Sequence, residues 1–126
     1  MNQKIKARRR AQLARRDRKA VNFIAALLNT RDRLCSASFG SVTIRVVCRN
    51  GFSVSIQASS GHYCTPRSSY GPWETVELGY PSSHPGRRIA AYGECMSSSW
   101  PTDTVYAYVP VRLVHDLLRK HGGVKR

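Results

Sequence analysis

The side chains able to do chemistry in this chain are four cysteines, four histidines and seven carboxylates, set among 21 Lys and Arg. Cys35, Cys48, Cys64 and Cys95 form no C-x-x-C pair, so the spacing supports neither a zinc ribbon nor a dithiol redox motif. A zinc set of His62, Cys64, His84 and Cys95 can be drawn, but its spacing matches no standard knuckle. The expectation is no metal, with the cysteines as buried or loop thiols in a reducing cytoplasm. Phosphate-binding loops, dinucleotide fingerprints, nucleophile elbows and the deaminase zinc pattern are all missing. A metal-free ribonuclease needs only an acid/base pair and a cation for the phosphate. His62 or His84 with Glu77 and Arg67 or Arg87 would supply that set. Nothing in the spacing forces these residues together, so the chain reads as a non-enzyme without a cofactor.

The cations are more informative than the nucleophiles. The chain of 126 residues has a formal net charge of +14, which attracts polyanions: nucleic acid, anionic lipid or an acidic protein. Residues 1–19 carry Lys4, Lys6, Arg8, Arg9, Arg10, Arg15, Arg16, Arg18 and Lys19 against Asp17 alone, hence +8 of that charge. At about 100° per residue, Lys4, Arg8, Arg9, Arg15, Arg16, Arg18 and Lys19 share one half of a helical wheel. Leu13, Ala20, Val21, Ile24, Leu27 and Leu28 occupy the other half. One amphipathic helix over roughly residues 4–29 follows, with no Pro or Gly to break it. Its first half has too few apolar residues to dock, while Val21–Leu28 should pack on the rest of the chain.

Targeting readings of this basic segment fail. The apolar stretch is too short for a secretory signal, and Ser is absent before Ser36, unlike a mitochondrial presequence. No apolar run approaches the length of a membrane span. Residues 1–30 are therefore expected as a basic helical arm, and residues 31–126 as a single α+β body.

The elements that must position any site in that body are strands. Val42, Ile44, Val46 and Cys48 alternate with polar or exposed positions, as do Phe52, Val54, Ile56 and Ala58. Asn50-Gly51 between them signals a hairpin. A two-residue loop would set serines opposite the apolar face. A three-residue loop, Arg49-Asn50-Gly51, instead pairs Cys48 with Phe52, Val46 with Val54 and Ile44 with Ile56, so the pattern selects it and requires Gly51 in the left-handed conformation. Further strands are expected at Trp73–Tyr80, at Ile89–Tyr92, and at Thr104–Val109 with Val105, Ala107 and Val109 inward. Pro110 then starts a short helix whose stripe is Leu113, Val114, Leu117 and Leu118, ended by Gly122-Gly123. The fold class is α+β: a long amphipathic N-terminal helix, about five antiparallel strands, and a short C-terminal helix, with the helices on one face.

Tyr63, Tyr70, Trp73 and Trp100 lie in or beside loops, with Tyr106 and Tyr108 expected on the outward face of the last strand. Bases stack on such rings, and Arg45, Arg49 and Arg67 could hold nearby phosphate. Tyr and Trp are equally typical of protein-binding surfaces, so Arg45, Arg49, Tyr63, Arg67, Tyr70, Trp73 and Trp100 form a second expected partner surface.

Three strings carry a resemblance: His62-Tyr-Cys-Thr-Pro-Arg67, Gly71-Pro-Trp-Glu-Thr-Val-Glu-Leu-Gly-Tyr-Pro81, and Thr104-Val-Tyr-Ala-Tyr-Val-Pro110 with His121-Gly-Gly123. Over roughly residues 52–123 the chain resembles small uncharacterised accessory proteins of tailed phages and prophages. The resemblance names no activity and transfers no functional residue. It implies a bacterial host cytoplasm and an accessory role, in a class that includes anti-CRISPR inhibitors. The leading expectation is a non-enzymatic protein that binds nucleic acid or a host nucleoprotein complex through its basic helix. The alternative is an inhibitor that docks on a host defence protein.

Overall fold

The computed structural model describes residues 2–34, 42–93 and 101–125. Helix α1 (Gln3–Leu34) is uninterrupted over 32 residues, longer than its amphipathic pattern alone predicts. At 1.5 Å per residue it is about 48 Å long. Its two halves behave differently, as their apolar content dictates. Residues 2–19 are exposed throughout, whereas Ala20, Ile24 and Leu28 are fully buried. These three recur at every fourth position and so share one face, which docks on the body.

That body is a four-stranded antiparallel meander, in the order β1 (Val42–Val47), β2 (Ser53–Ala58), β3 (Thr75–Gly79) and β4 (Val105–Pro110). The hairpin has the register that the hydrophobic pattern selects, with Ile44 opposite Ile56 and Val46 opposite Val54. The Cys48 N–H donates to the Phe52 carbonyl at 2.7 Å, which closes the three-residue loop. Gly51 has φ +97°, a conformation that costs a side-chain-bearing residue more than glycine. Val46, Cys48, Val54, Ile56, Val76, Leu78, Tyr106 and Val109 form the core face of the sheet, and α1 and helix α3 (Val111–Lys120) cover it. Val114, Leu117 and Leu118 supply the buried stripe of α3.

Three expectations about the sheet are corrected. Ile89–Tyr92 is not a strand: Arg87–Ala90 form a short helical turn, α2, in which the Ala90 N–H bonds back to the Gly86 carbonyl. The apolar side chain that suggested a strand, Ile89, is buried all the same, so local hydrogen bonding, not burial, decides the element. The third strand starts at Thr75 because Trp73 belongs to the preceding loop. In β4 the inward residues are Tyr106 and Val109, not Val105 and Ala107. Tyr106 pairs with Leu78 and Val109 with Val76, so β4 carries one extra residue between them. Tyr108, at φ +54°, lies in this bulge, and the inserted residue reverses the alternation that the sequence suggests. Pro110 ends β4 and caps α3, which begins one residue later than expected.

The chain after α3 returns to the hairpin. Gly122 and Gly123 N–H groups bond to the Arg119 and Leu118 carbonyls and terminate the helix. Lys125 N–H then donates to Val47, and Arg49 N–H to Gly123, so the tail lies along the edge of β1. His121 stacks on Phe52 at 4.0 Å between ring centroids, and its Nδ1 accepts a hydrogen bond from Asn50 Nδ2 at 2.9 Å. Burial, with Lys120 nearby, lowers the His121 pKa, which agrees with a neutral ring acting as acceptor.

Candidate nucleic-acid interface

Docking through Ala20, Ile24 and Leu28 fixes where the cations of α1 point. By the helical period, Lys4, Arg8, Arg15 and Lys19 lie on the side opposite that buried stripe. All seven predicted binding cations, Lys4, Arg8, Arg9, Arg15, Arg16, Arg18 and Lys19, are exposed. Asp17, the one acid of residues 1–19, forms a salt bridge to Arg112 of α3 at 3.6 Å, which ties the exposed half of α1 to the body.

The tertiary structure adds a second helix to this cationic surface. Arg15, Arg16 and Lys19 of α1 and Arg112, His115, Asp116 and Arg119 of α3 line a cleft of about 290 Å³. Five permanent cations therefore surround one carboxylate and one imidazole. His115 is 9% exposed and packs its ring on Phe23 of α1 at 4.8 Å. Its pKa is lowered, first by burial and then by the Arg119 charge, with Asp116 opposing and Lys19 reinforcing the shift. The α3 contribution has a legible signal. Arg112, His115, Asp116 and Arg119 are spaced i, i+3, i+4 and i+7, one polar stripe of a helix. What the sequence lacks is any sign that this stripe borders α1.

A larger cleft, of about 470 Å³, lies on the other side of the same helix junction. It is lined by Asp17, Arg18, Asn22, Glu74 and Arg112 among others. Its charges are of both signs, and the Asp17–Arg112 pair lies within it, so it has no comparable pull on an anion.

The second expected surface fares differently. Trp73 is not a contact residue: it is 1% exposed, with its Nε1–H donating to the Ser68 carbonyl at 2.9 Å. A Cβ on Gly71 would meet the Trp73 ring at 2.7 Å, so the loop closes over the indole only because residue 71 is glycine. Tyr106 is likewise buried, and burial raises its pKa. Trp100 lies outside the described residues. Arg45 is directed at the sheet itself, donating to Tyr80 O at 2.6 Å and Ser53 Oγ at 2.8 Å. Arg49 is exposed at the hairpin turn and Tyr70 is 84% exposed. Tyr63 and Tyr108 form a tilted aromatic pair at 5.9 Å, and the Arg67 guanidinium sits 5.6 Å from the Tyr63 ring centre. The structure thus brings Tyr63, Arg67 and Tyr108 together and leaves Arg45, Arg49 and Tyr70 apart from them.

The residues of the ribonuclease reading meet partly beneath this aromatic pair. Glu77 is 8% exposed, and its two oxygens accept from Gln57 Nε2 at 2.8 Å and from Tyr63 N–H at 2.9 Å. His62 Nδ1 lies 2.8 Å from Ser59 Oγ, and Arg67 Nε–H donates to the His62 carbonyl at 3.2 Å. The carboxylate therefore anchors the loop to β3 instead of facing solvent as a base. His84 and Arg87 lie at the entry to α2, on a different part of the fold. Cys64 is buried in the same loop, with its Sγ 3.3 Å from both the Ser59 and Pro66 carbonyl oxygens, a packing role. Cys48 is buried as well, and desolvation raises its pKa, which disfavours the reactive thiolate. Cys35 and Cys95 lie outside the described residues.

Comparison with protein-family models, curated proteins and solved structures finds no match to this chain. The geometry alone therefore carries the functional argument. Among the described residues, no group of three or more His, Cys, Asp and Glu side chains is placed to hold a metal ion. No helix among them is long and apolar enough to cross a membrane.

Proposed function

We propose that the protein binds nucleic acid, free or within a host nucleoprotein complex, through the cationic side of α1, and does so without catalysis. The observation that carries this reading is the opposition of the two faces of α1. The face with Ala20, Ile24 and Leu28 is fixed in the core, which leaves the Lys4, Arg8, Arg15 and Lys19 side presented to solvent as one continuous cationic track. Same-sign charges on one rigid helix repel each other, a cost that a polyanion offsets by neutralising them. The cleft cations Arg112 and Arg119 extend the track onto α3. Contacts of this kind go to phosphates, so they set position and affinity, not base sequence. A phage-type accessory role in a bacterial cytoplasm belongs to the same reading.

The test is a pull-down from bacterial lysate with and without nuclease, using the full chain and a variant lacking residues 1–14. That deletion removes Lys4, Lys6, Arg8, Arg9 and Arg10 and lowers the formal charge from +14 to +9, while sparing the docked half of α1. Nucleic acid should co-purify with the full chain, wash off in high salt, and be largely lost with the deletion. A protein partner that is retained after nuclease and after the deletion would instead support the inhibitor reading, with Tyr63, Arg67 and Tyr108 as its first candidates.

A further inference from the structure

His115 is an unusual residue to find in a cleft of cations. It is nine-tenths buried, and its ring nitrogens have no hydrogen-bond partner among the described residues; its ring contact is with Phe23. No unpartnered buried side-chain nitrogen or oxygen is sealed off there, so the imidazole nitrogens still reach an opening. The opening His115 lines is the α1–α3 cleft. The groups that face it are Arg15, Arg16 and Lys19 from α1, and Arg112, Asp116 and Arg119 from α3. A buried imidazole without a partner, ringed by five cations and one carboxylate, lacks one thing: an acceptor with negative charge.

We infer that this cleft seats a single phosphate group against the His115 ring, and that seating it brings one proton from solvent onto the imidazole. This inference rests on the polyanion reading of α1 but makes a claim of its own, a defined pocket in place of a diffuse track. A cleft of about 290 Å³ corresponds to about ten waters' share of liquid, enough for a phosphate group that sheds part of its hydration. In the free protein, burial and the surrounding cations disfavour the protonated ring. A phosphate placed among them reverses the local field, and the protonated ring gains a charge-assisted hydrogen bond to a phosphate oxygen. The guanidinium groups of Arg15, Arg16 and Arg119 supply planar donors matched to the remaining oxygens, while Arg112, paired with Asp17, adds charge at the edge of the cleft. Asp116 opposes the anion and limits its affinity. By linkage, the phosphate binds more tightly as pH falls through the range where the occupied cleft holds the proton and the empty one does not.

The experiment pairs affinity with a direct reading of the imidazole, using the full chain. Binding of a DNA duplex with 5′-hydroxyl ends is measured by anisotropy at about pH 7.5 and about pH 5.5, so that no phosphomonoester titrates in the same range. We expect binding at least about fivefold tighter at the lower pH, with most of that ratio lost in His115→Gln. Asp116→Asn should tighten binding at both values. In the unsubstituted protein, nitrogen NMR of the His115 ring should move toward the doubly protonated form on adding the duplex, a readout that needs no variant to fold. A 5′-phosphorylated duplex separates the sources: equal affinity assigns an internal phosphodiester, and tighter binding assigns a terminal phosphate. If the duplex binds while His115 stays neutral and the ratio survives in His115→Gln, the pocket is refuted and the polyanion reading stands. If the duplex does not bind but inorganic phosphate protonates His115, the pocket stands and the polyanion reading falls. If neither ligand moves His115 or binds, both fall.

Discussion

Reversing two charges on α1, Arg8→Glu with Arg15→Glu, should change the salt dependence of DNA binding by a calculable amount. The exposed half of the helix, residues 3–19, extends about 25 Å. Seven of its cations share one half of the wheel, but a straight rod touches a curved duplex with only part of them, about four to six. Arg119 of α3 adds about one, while Arg112 is partly neutralised by Asp17 at 3.6 Å. With about five to six phosphates neutralised, counterion release gives a slope of log K against log salt of about −5 on duplex DNA. Affinity then drops about 10³-fold between 50 and 200 mM salt. Removing two contacts should flatten the slope by about 2, to roughly −3. Both residues are exposed, so the melting temperature should hardly change. Anisotropy titrations at four or five salt concentrations, with thermal melts of both proteins, make the measurement. A slope near zero in the parent protein, or an unaltered slope in the double variant, would refute the assignment of this helix face as the phosphate contact.

Three further expectations concern the scaffold. Ile24→Ala removes a fully buried side chain where α1 meets the sheet, and chemical denaturation should show a loss of about 2–5 kcal/mol. Gly51→Ala meets no neighbouring atom, so its cost is the φ of +97° alone, about 1 kcal/mol by denaturant melt; a neutral result would sink the strain argument. His115 and His121 both titrate below their ordinary 6.5 in the folded protein. The unfolded chain therefore binds more protons between those lowered values and about 6.5. Their contribution to stability is complete above that range and lost as pH falls through it, so unfolding free energy should decline between about pH 7 and 5. Replacing both residues with Gln should blunt the decline, and a protein most stable at pH 5 would contradict the sign.

Local pattern and elementary electrostatics were enough to define much of this molecule. The amphipathic period of residues 4–29 announces a helix with one cationic and one docking face, because 3.6 residues per turn leave no other way to separate Arg8, Arg15 and Lys19 from Ala20, Ile24 and Leu28. The hairpin register is equally local, since a slip of one residue would put Val46 of β1 and Val54 and Ile56 of β2 on opposite faces of the sheet. The stripe of α3 is read from the same period. Other features depend on groups distant in sequence. The bulge at Tyr108 reverses which residues of β4 face inward, and its backbone N–H bonds to the Tyr63 carbonyl, far away in the chain. Trp73 is buried because a loop folds over it around Gly71, so a ring that looks available for stacking is part of the core. Ile89 satisfies its burial from a helical turn as well as it would from a strand, and apolar content over four residues cannot separate the two. The cleft is the clearest case. Each wall is an ordinary polar helix stripe, and a site exists only because packing at Ala20 and Ile24 on α1 and Val114 and Leu118 on α3 brings the two stripes side by side. Charge and period are properties of a segment and can be read from it. Which charged segment lies beside which is settled by the core between them.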